Sequence, residues 1–200
     1  MKRLMWLMGI VVLLATHPIL AAVQEGDTEI HLGGSYQKYN GGSVDGVKGP
    51  DVTNFHFLGG YNYFMTDNIS LGVLLGYDSY EYKAETAGSS YKDQFLGLGA
   101  SVKYHFMIEE LLVPYLGLEL MYHKGLNVGN RDVLALDARD GTSVGIGGGI
   151  RYELNPQNDF FIEYIYQKLF GDFTSTNVGL KGLNLDDAHF IRFGIIHQFN

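Results

Sequence analysis

The chain contains no cysteine, so folds that depend on disulfide bonds or thiolate metal sites are excluded. A 200-residue protein without these bonds must be stabilised by packing and backbone pairing. Only 4 prolines are present, against 27 glycines. After residue 22 no stretch approaches the roughly 18 consecutive apolar residues that a membrane-spanning helix needs, which excludes helical spans there.

The beginning of the chain has the layout of a cleavable signal peptide. Two basic residues precede an apolar run over residues 4–15, and small residues follow. An uncleaved anchor helix is the alternative, but Pro18 interrupts the run before it reaches the roughly 20 residues that a span requires. We predict cleavage after Ala22. The chain then divides into a signal peptide, residues 1–22, and a single domain, residues 23–200.

The charge of the mature chain argues against a nucleic-acid partner. Cleavage removes Lys2 and Arg3 and no acidic residue, so the formal net charge of −8 becomes −10. Proteins that bind nucleic acid usually carry a basic patch, and an acidic chain is repelled by the phosphate backbone.

Eight segments alternate apolar or aromatic residues with small or polar ones, which is typical of β-strands with one apolar face. In the last segment, for example, Phe193 and Ile195 share one face and Arg192 lies on the other. The segments cover residues 29–37, 54–63, 69–78, 96–106, 115–123, 144–154, 160–167 and 190–199.

The connections between these segments alternate in length. The short ones are residues 66–68, 108–111 and 155–159, and the long ones are residues 40–52, 83–91, 124–141 and 168–187. Outer-membrane barrels have short periplasmic turns and longer outer loops, and they must close because an unpaired edge facing lipid costs several kcal/mol per group. We therefore predict an all-β fold, an eight-stranded antiparallel transmembrane β-barrel with up-and-down topology. It would lie in a bacterial outer membrane with both termini periplasmic.

Glycines crowd the face opposite the apolar series. A soluble, lipocalin-like barrel does not explain this face, because water-facing surfaces usually carry long charged side chains. Two interpretations remain: the glycines leave room for bulky inward neighbours such as Tyr115, Phe161 and Phe190, or they line a narrow conduit. Barrels of eight strands are normally filled by their own side chains, which favours the first interpretation.

The apolar face carries aromatic residues near both ends of the strands. Aromatic rings concentrate at membrane interfaces, where one end of the ring is apolar and the other can bond to water or head groups. We predict a periplasmic girdle of Tyr61, Tyr63, Tyr104, Phe106, Tyr152, Phe160 and Phe199, and an outer girdle of Tyr36, Tyr77, Tyr122 and Tyr166.

Charged residues on the inward face predict a network in the lumen, since buried charges need partners. A turn centred on Gln157 would set Arg151 opposite Glu163. A similar centre near Glu110 would put Lys103 diagonal to Glu119, and Arg192 on the last strand could join the same interior network.

The sequence HFIRFGIIHQF, residues 189–199, ends in an aromatic after alternating apolar residues. With the signal peptide and repeats such as FLGLGASVKYHF, residues 95–106, it resembles the small outer-membrane β-barrel superfamily, which includes the A, X and W types and the opacity proteins. The resemblance covers nearly all of residues 27–200. It implies that the last strand is an assembly signal for the barrel assembly machinery and that outer-membrane lipid and lipopolysaccharide are partners. The residues of that signal are Phe193, Ile195, His197 and Phe199.

We also considered an enzymatic barrel that modifies lipid A. Such chemistry needs a serine beside a histidine that an acid orients. The histidines at 105, 123, 189 and 197 are spread over three strands, and no His-x-Ser run is present. A metal site would need converging ligands, whereas Glu29, His31, His56 and Asp78 fall at different heights in the predicted register.

The sequence therefore predicts a protein without enzymatic activity, cofactor or metal. Its role would be structural or surface interaction (envelope integrity, adhesion or host interaction) through long extracellular loops, with an unknown extracellular ligand. A narrow pore or conduit for small or hydrophobic solutes is the second hypothesis, and a lipid A-modifying enzyme is the third.

Overall fold

The computed structural model describes residues 24–39, 43–44, 47–48, 51–83, 90–106, 111–127, 140–171 and 187–199. The predicted signal peptide lies outside the described residues, as does most of each long connection. Within the described ranges, no helix is long and apolar enough to cross a membrane.

The described fold consists of β-strands. In chain order they are β1 (Thr28–Tyr39), β2 (Ser43–Val44), β3 (Val47–Lys48), β4 (Asp51–Thr66), β5 (Ile69–Lys83), β6 (Ser90–His105), β7 (Leu112–Asn127), β8 (Gly141–Asn155), β9 (Asn158–Gly171) and β10 (Asp187–Phe199). β2 and β3 pair only with each other, as a short ribbon in the first long connection.

The eight long strands form a closed antiparallel barrel. β1 pairs with β4 on one side and with β10 on the other, and all remaining neighbours are consecutive in the chain. This topology confirms the predicted all-β, eight-stranded, up-and-down barrel. We call the end that carries the two-residue turns at 67–68 and 156–157 the turn end, and the opposite end the loop end.

The strands are staggered around the barrel. Directly paired residues form a path around the barrel, which starts at Phe199 of β10, crosses β1 at Thr28 and continues from β4 to β9. The path returns to β10 at His189, ten residues from Phe199. With eight strands, this stagger corresponds to a strand tilt of about 40° and an interior that side chains can fill.

The outside of the barrel is apolar and the inside is polar. Large outward-facing apolar side chains are 36–65% exposed, whereas Glu29, Arg151 and Arg192 are at most 2% exposed. A water-soluble protein would place these groups the other way round. The inverted distribution is the one that lipid surroundings favour.

Several strands continue past the predicted segments at the loop end. β5, for example, ends at Lys83 instead of residue 78, and β6 begins at Ser90 instead of residue 96. In the added part of β5 the outward side chains are polar, as with Glu81, so the alternation that marked the strand disappears while the backbone pairing continues.

Candidate functional site in the barrel lumen

Arg151 is the centre of a charged cluster near the turn end, which we call the turn-end network. Its Nη1 lies 2.9 Å from Glu29 Oε2, and its Nε donates to Asp159 Oδ2 at 2.7 Å. Two amides complete the cluster: Asn62 Nδ2 donates to Glu29 Oε1 at 2.8 Å, and Gln198 Nε2 donates to Asp159 Oδ2 at 3.0 Å. The network therefore ties β8 and β9 to β1, β4 and β10 across the lumen.

The prediction that Arg151 lies opposite Glu163 is wrong. Arg151 faces Phe161 and Glu163 faces Gly149, two residues from the predicted register. The reason is local: the turn occupies positions 156 and 157, and an irregularity between Glu153 and Asn155 shifts the register before Arg151 is reached. A shift of two residues keeps both side chains in the lumen, so only the partner changes.

A second cluster, the mid-barrel network, surrounds Arg192. Its Nη2 donates to Glu119 Oε1 at 2.7 Å, and its Nε lies 3.0 Å from Glu163 Oε1. Tyr115 OH donates to Glu163 Oε2 at 2.9 Å, and Lys103 Nζ lies 4.0 Å from the same oxygen. Lys103 Nζ also lies 5.0 Å from the centre of the Tyr115 ring. Two cations thus face two carboxylates inside the barrel.

The five predicted lumen residues are Lys103, Glu119, Arg151, Glu163 and Arg192, and all of them are buried inside the barrel. The predicted diagonal relation between Lys103 and Glu119 agrees with the register, in which Glu119 faces Ser101. The carboxylate within ion-pair distance of Lys103 is nevertheless that of Glu163, since Glu119 bonds to Arg192.

Towards the loop end, Leu58, Leu74 and Met121 pack together inside the barrel and form an apolar layer. Glycines make room for the methionine: a Cβ at Gly97 would lie 2.8 Å from Met121 Cε, and one at Gly76 would lie 2.9 Å from it. Here the glycines accommodate a bulky inward side chain, as the first of the two sequence interpretations expects.

Beyond this layer, polar side chains from five strands form a chain of contacts that we call the histidine belt. His56 Nδ1 lies 2.7 Å from Asp78 Oδ1, and Asp78 Oδ2 lies 3.7 Å from His123 Nδ1. His123 Nε2 is 2.8 Å from Ser143 Oγ, which accepts a hydrogen bond from Gln167 Nε2 at 2.7 Å. The belt brings together β4, β5, β7, β8 and β9 and bypasses β6, where a glycine faces the lumen.

The order of Asp78, His123 and Ser143 is that of a serine hydrolase triad, so its geometry matters. Two observations weigh against this chemistry. Ser143 has no exposed surface, and the 3.7 Å between Asp78 and His123 is too long for a hydrogen bond. Asp78 is bonded to His56 instead. The belt is therefore better understood as packing that closes the lumen.

The sequence predicted that the four possible metal ligands lie at different heights along the barrel, and the structure corrects this for two of them. Glu29 and His31 lie near the turn end, but His56 and Asp78 are directly opposite each other and in contact. Within the described ranges, no group of three or more histidine, cysteine, aspartate or glutamate side chains is placed to hold a metal ion.

The predicted girdle residues all lie on the outward face of the barrel. Tyr77, Tyr152 and Tyr166 are half-buried there, and the other eight are exposed. At the turn end, Tyr104 and Phe106 make an edge-to-face contact at 4.9 Å. In the middle of β9, a further tyrosine outside the predicted girdles, Tyr164, bonds through its OH to His189 Nδ1 at 2.6 Å.

The four residues of the predicted assembly signal alternate with lumen residues along β10. Phe193, Ile195 and Phe199 are exposed on the lipid face, and His197 Nδ1 lies 2.9 Å from Asn158 Oδ1 near the turn end. This outward apolar series is the one that the sequence pattern indicates, and its role in assembly stays a prediction.

Sequence reasoning missed Glu29, Asp159 and Ser143 as members of the lumen clusters. Alternation could have placed all three on the inward face. Asp159 and Ser143 bond to side chains of adjacent strands, but Glu29 on β1 binds Arg151 on β8, and these two strands are neighbours neither in the chain nor in the barrel. No pairing rule based on a single turn reaches that far.

The comparisons with known proteins agree with this architecture. The sequence model described as "Outer membrane protein beta-barrel domain" matches residues 9–195. No curated protein sequence matches the chain.

Three solved structures illustrate the shared fold. OprG from Pseudomonas aeruginosa is 14% identical with a TM-score of 0.56, covering 88% of this chain and 97% of its own. Neisserial surface protein A is 20% identical with a TM-score of 0.57, covering 88% and 100%. Ail of Yersinia pestis, in complex with the heparin analogue sucrose octasulfate, is 16% identical with a TM-score of 0.51, covering 88% and 100%. With the family match spanning most of the chain, the protein belongs to the outer membrane protein β-barrel family.

Proposed function

We propose that this protein is a closed outer-membrane barrel whose role is structural or surface interaction and involves no enzymatic turnover. The rigid frame would hold the four long connections in place, and these would make the contacts with partners outside the cell. Loops carry specificity in this way when the frame beneath them has no reactive site.

The observation that carries the proposal is the filling of the lumen. The turn-end network, the mid-barrel network, the apolar layer and the histidine belt follow one another from the turn end to the loop end. Arg192 and Arg151 are each 2% exposed or less, and Leu74 is fully buried. Side chains stacked in this way favour a plug over a conduit, which supports the surface role over the pore.

The same arrangement supports the orientation and the partners that we propose. The turn end would face the periplasm with both termini, because outer-membrane barrels place short turns there and long loops outside. The last strand, with Phe193 and Phe199 facing lipid, would meet the barrel assembly machinery. Lipid and lipopolysaccharide would surround the wall, and the acidic chain would bind no nucleic acid. Among the structural neighbours, Ail has been solved with a heparin analogue, so a barrel of this fold can present a binding surface.

Planar-bilayer recording tests the plug. The purified protein should show no ion current, because the buried side chains of the four layers occupy the lumen. A matched variant with Met121→Ala and Arg192→Ala, which trims two layers, serves as the opened control. A steady current through the unmodified protein, equal to that of the control, would support the conduit instead.

Protease added to whole cells tests the orientation and the surface role together. Cleavage is expected within residues 128–139 and 172–186. Cells whose protein carries glycine-serine linkers in place of these two segments should lose binding to host surfaces while the barrel remains heat-modifiable on gels. Cleavage confined to residues 155–159 would mean that the barrel is inserted the other way round.

A further inference from the structure

The outer wall of the barrel has a notch at its loop end, formed by β4, β5 and β6. Pairing places the outward residues in rows: Phe57 with Tyr77 nearest the apolar band, then Phe55 with Ser79, then Thr53 with Glu81. The residues that line this rim notch, with a volume of about 270 Å³, are Thr53, Phe55, Tyr77, Ser79, Glu81 and Lys92.

The rim notch changes character along its length. Its floor near the membrane is aromatic, and Tyr77 OH accepts a hydrogen bond from Gln94 Nε2 at 2.5 Å. Ser79 provides the depression, because a small side chain stands there beside the ring of Phe55. Its upper part is charged. A ligand that fits is apolar at one end and carries hydroxyl groups at the other, where it meets the carboxylate of Glu81 and the ammonium of Lys92.

Two lysines stand at either side of the charged row. Lys38 faces Thr53, Thr53 faces Glu81, and Glu81 faces Lys92, so three inter-strand steps, about 14 Å, separate the two lysines. Lys38 and Lys92 are exposed and form no ion pair with other side chains in the part of the chain that the structure describes, whereas Glu81 already binds Lys83 at 3.3 Å.

We propose that the rim notch binds the head group of a bisphosphorylated disaccharide glycolipid of the outer leaflet, the lipid A class. Each phosphate would bind one of the flanking lysines, Lys38 and Lys92. The sugar hydroxyls would donate to Glu81, and the first part of an acyl chain would lie on Phe55 and Tyr77.

The spacing of the charges favours this ligand over a glycerophospholipid. A phospholipid has one phosphate and can engage one lysine at a time, while a disaccharide with a phosphate on each sugar spans the row. The choice of an outer-leaflet lipid rests on the orientation given under Proposed function. The chemistry of the rim notch itself does not depend on it.

Native mass spectrometry of the purified, detergent-solubilised protein with added lipid A tests the proposal. Hydrogen bonds to charged groups contribute enough that each lysine should be worth about tenfold in apparent Kd. Lys38→Ala and Lys92→Ala should each weaken binding by about that factor, and the double variant should bind about a hundredfold more weakly. Ser79→Leu, which fills the depression without changing charge, should also weaken binding.

Lys168→Ala is the matched control, because Lys168 points outward near the loop end of β9 on the other side of the barrel. It should bind lipid A as the unmodified protein does. Lipid A stripped of its phosphates, and phosphatidylglycerol, should bind more weakly than intact lipid A. Heat-modifiable migration on gels confirms that each variant is folded.

The proposal is overturned if Lys38→Ala/Lys92→Ala retains lipid A as well as Lys168→Ala does, or if phosphatidylglycerol binds equally well. The orientation is tested separately by whole-cell proteolysis. If binding depends on the lysines but the loops lie on the periplasmic side, the proposed site is supported and the proposed orientation is refuted. If protease reaches the loops on whole cells but binding does not depend on the lysines, the orientation is supported and the proposed site is refuted.

Discussion

Replacing Arg192 by methionine perturbs the barrel at its most densely charged point. The substitution keeps the approximate length of the side chain and removes contacts to Glu119 at 2.7 Å and Glu163 at 3.0 Å. Both carboxylates are at most 3% exposed, so neither can be solvated by water. Lys103, at 4.0 Å from Glu163, is then the nearest described cation of the mid-barrel network.

Loss of one partner from a buried ion pair typically costs about 3–5 kcal/mol, because a charge is left uncompensated. We expect Arg192→Met to lower the free energy of unfolding by about that amount. Glu119→Gln alone should also be destabilising. The double variant Arg192→Met/Glu119→Gln should cost clearly less than the sum, since it restores the balance between Lys103 and Glu163.

Urea unfolding in lipid vesicles, followed by heat-modifiable migration and circular dichroism, measures these free energies. Additivity of the two single changes within about 0.5 kcal/mol would refute the contact between Arg192 and Glu119. Arg151→Met with Glu163→Gln is the matched comparison. Among the described residues these two form no hydrogen bond or ion pair with a common side chain, so their effects should add within about 0.5 kcal/mol.

Three further predictions concern the wall and the assembly of the barrel. Gly147→Ala should lower the free energy of unfolding in urea by about 1–3 kcal/mol or more, because its Cβ would lie 2.1 Å from a backbone oxygen. Gly145→Ala should be tolerated, because the nearest atom to its Cβ is a side-chain carbon at 3.2 Å. Equal effects of the two glycine substitutions would contradict the packing that the structure shows around Gly147. Leu118→Arg, in the middle of the lipid face of β7, should cost about 2–4 kcal/mol, and Leu126→Arg, beyond the girdle, about 0–1 kcal/mol. If Leu126→Arg cost more than Leu118→Arg, the membrane boundary would lie at a different height on the barrel. Phe199→Ala should reduce the amount of folded protein in outer-membrane fractions, and unchanged amounts would exclude this residue from the assembly signal.

The sequence alone determined the architecture of this protein. Alternation along eight segments specified which residues face lipid, and the lengths of the connections indicated the antiparallel meander. These properties are local, since the parity of a residue within a strand decides its face whatever the partner strand is. All five predicted lumen charges are therefore buried on the inward face, including those whose predicted partners were wrong.

The tertiary structure decided which of these residues meet. Arg151 binds Glu29 across the lumen because closure of the barrel brings inward side chains of β8 and β1 together, although the two strands do not pair. The register around residues 156–157 depended on an irregularity that the alternation does not encode. Likewise, the proposed lipid notch depends on the registers of three successive strand pairs, which place Lys38 of β1 in the same row as Lys92 of β6. Contacts across a closed barrel are set by its stagger, and the stagger is a property of the whole sheet.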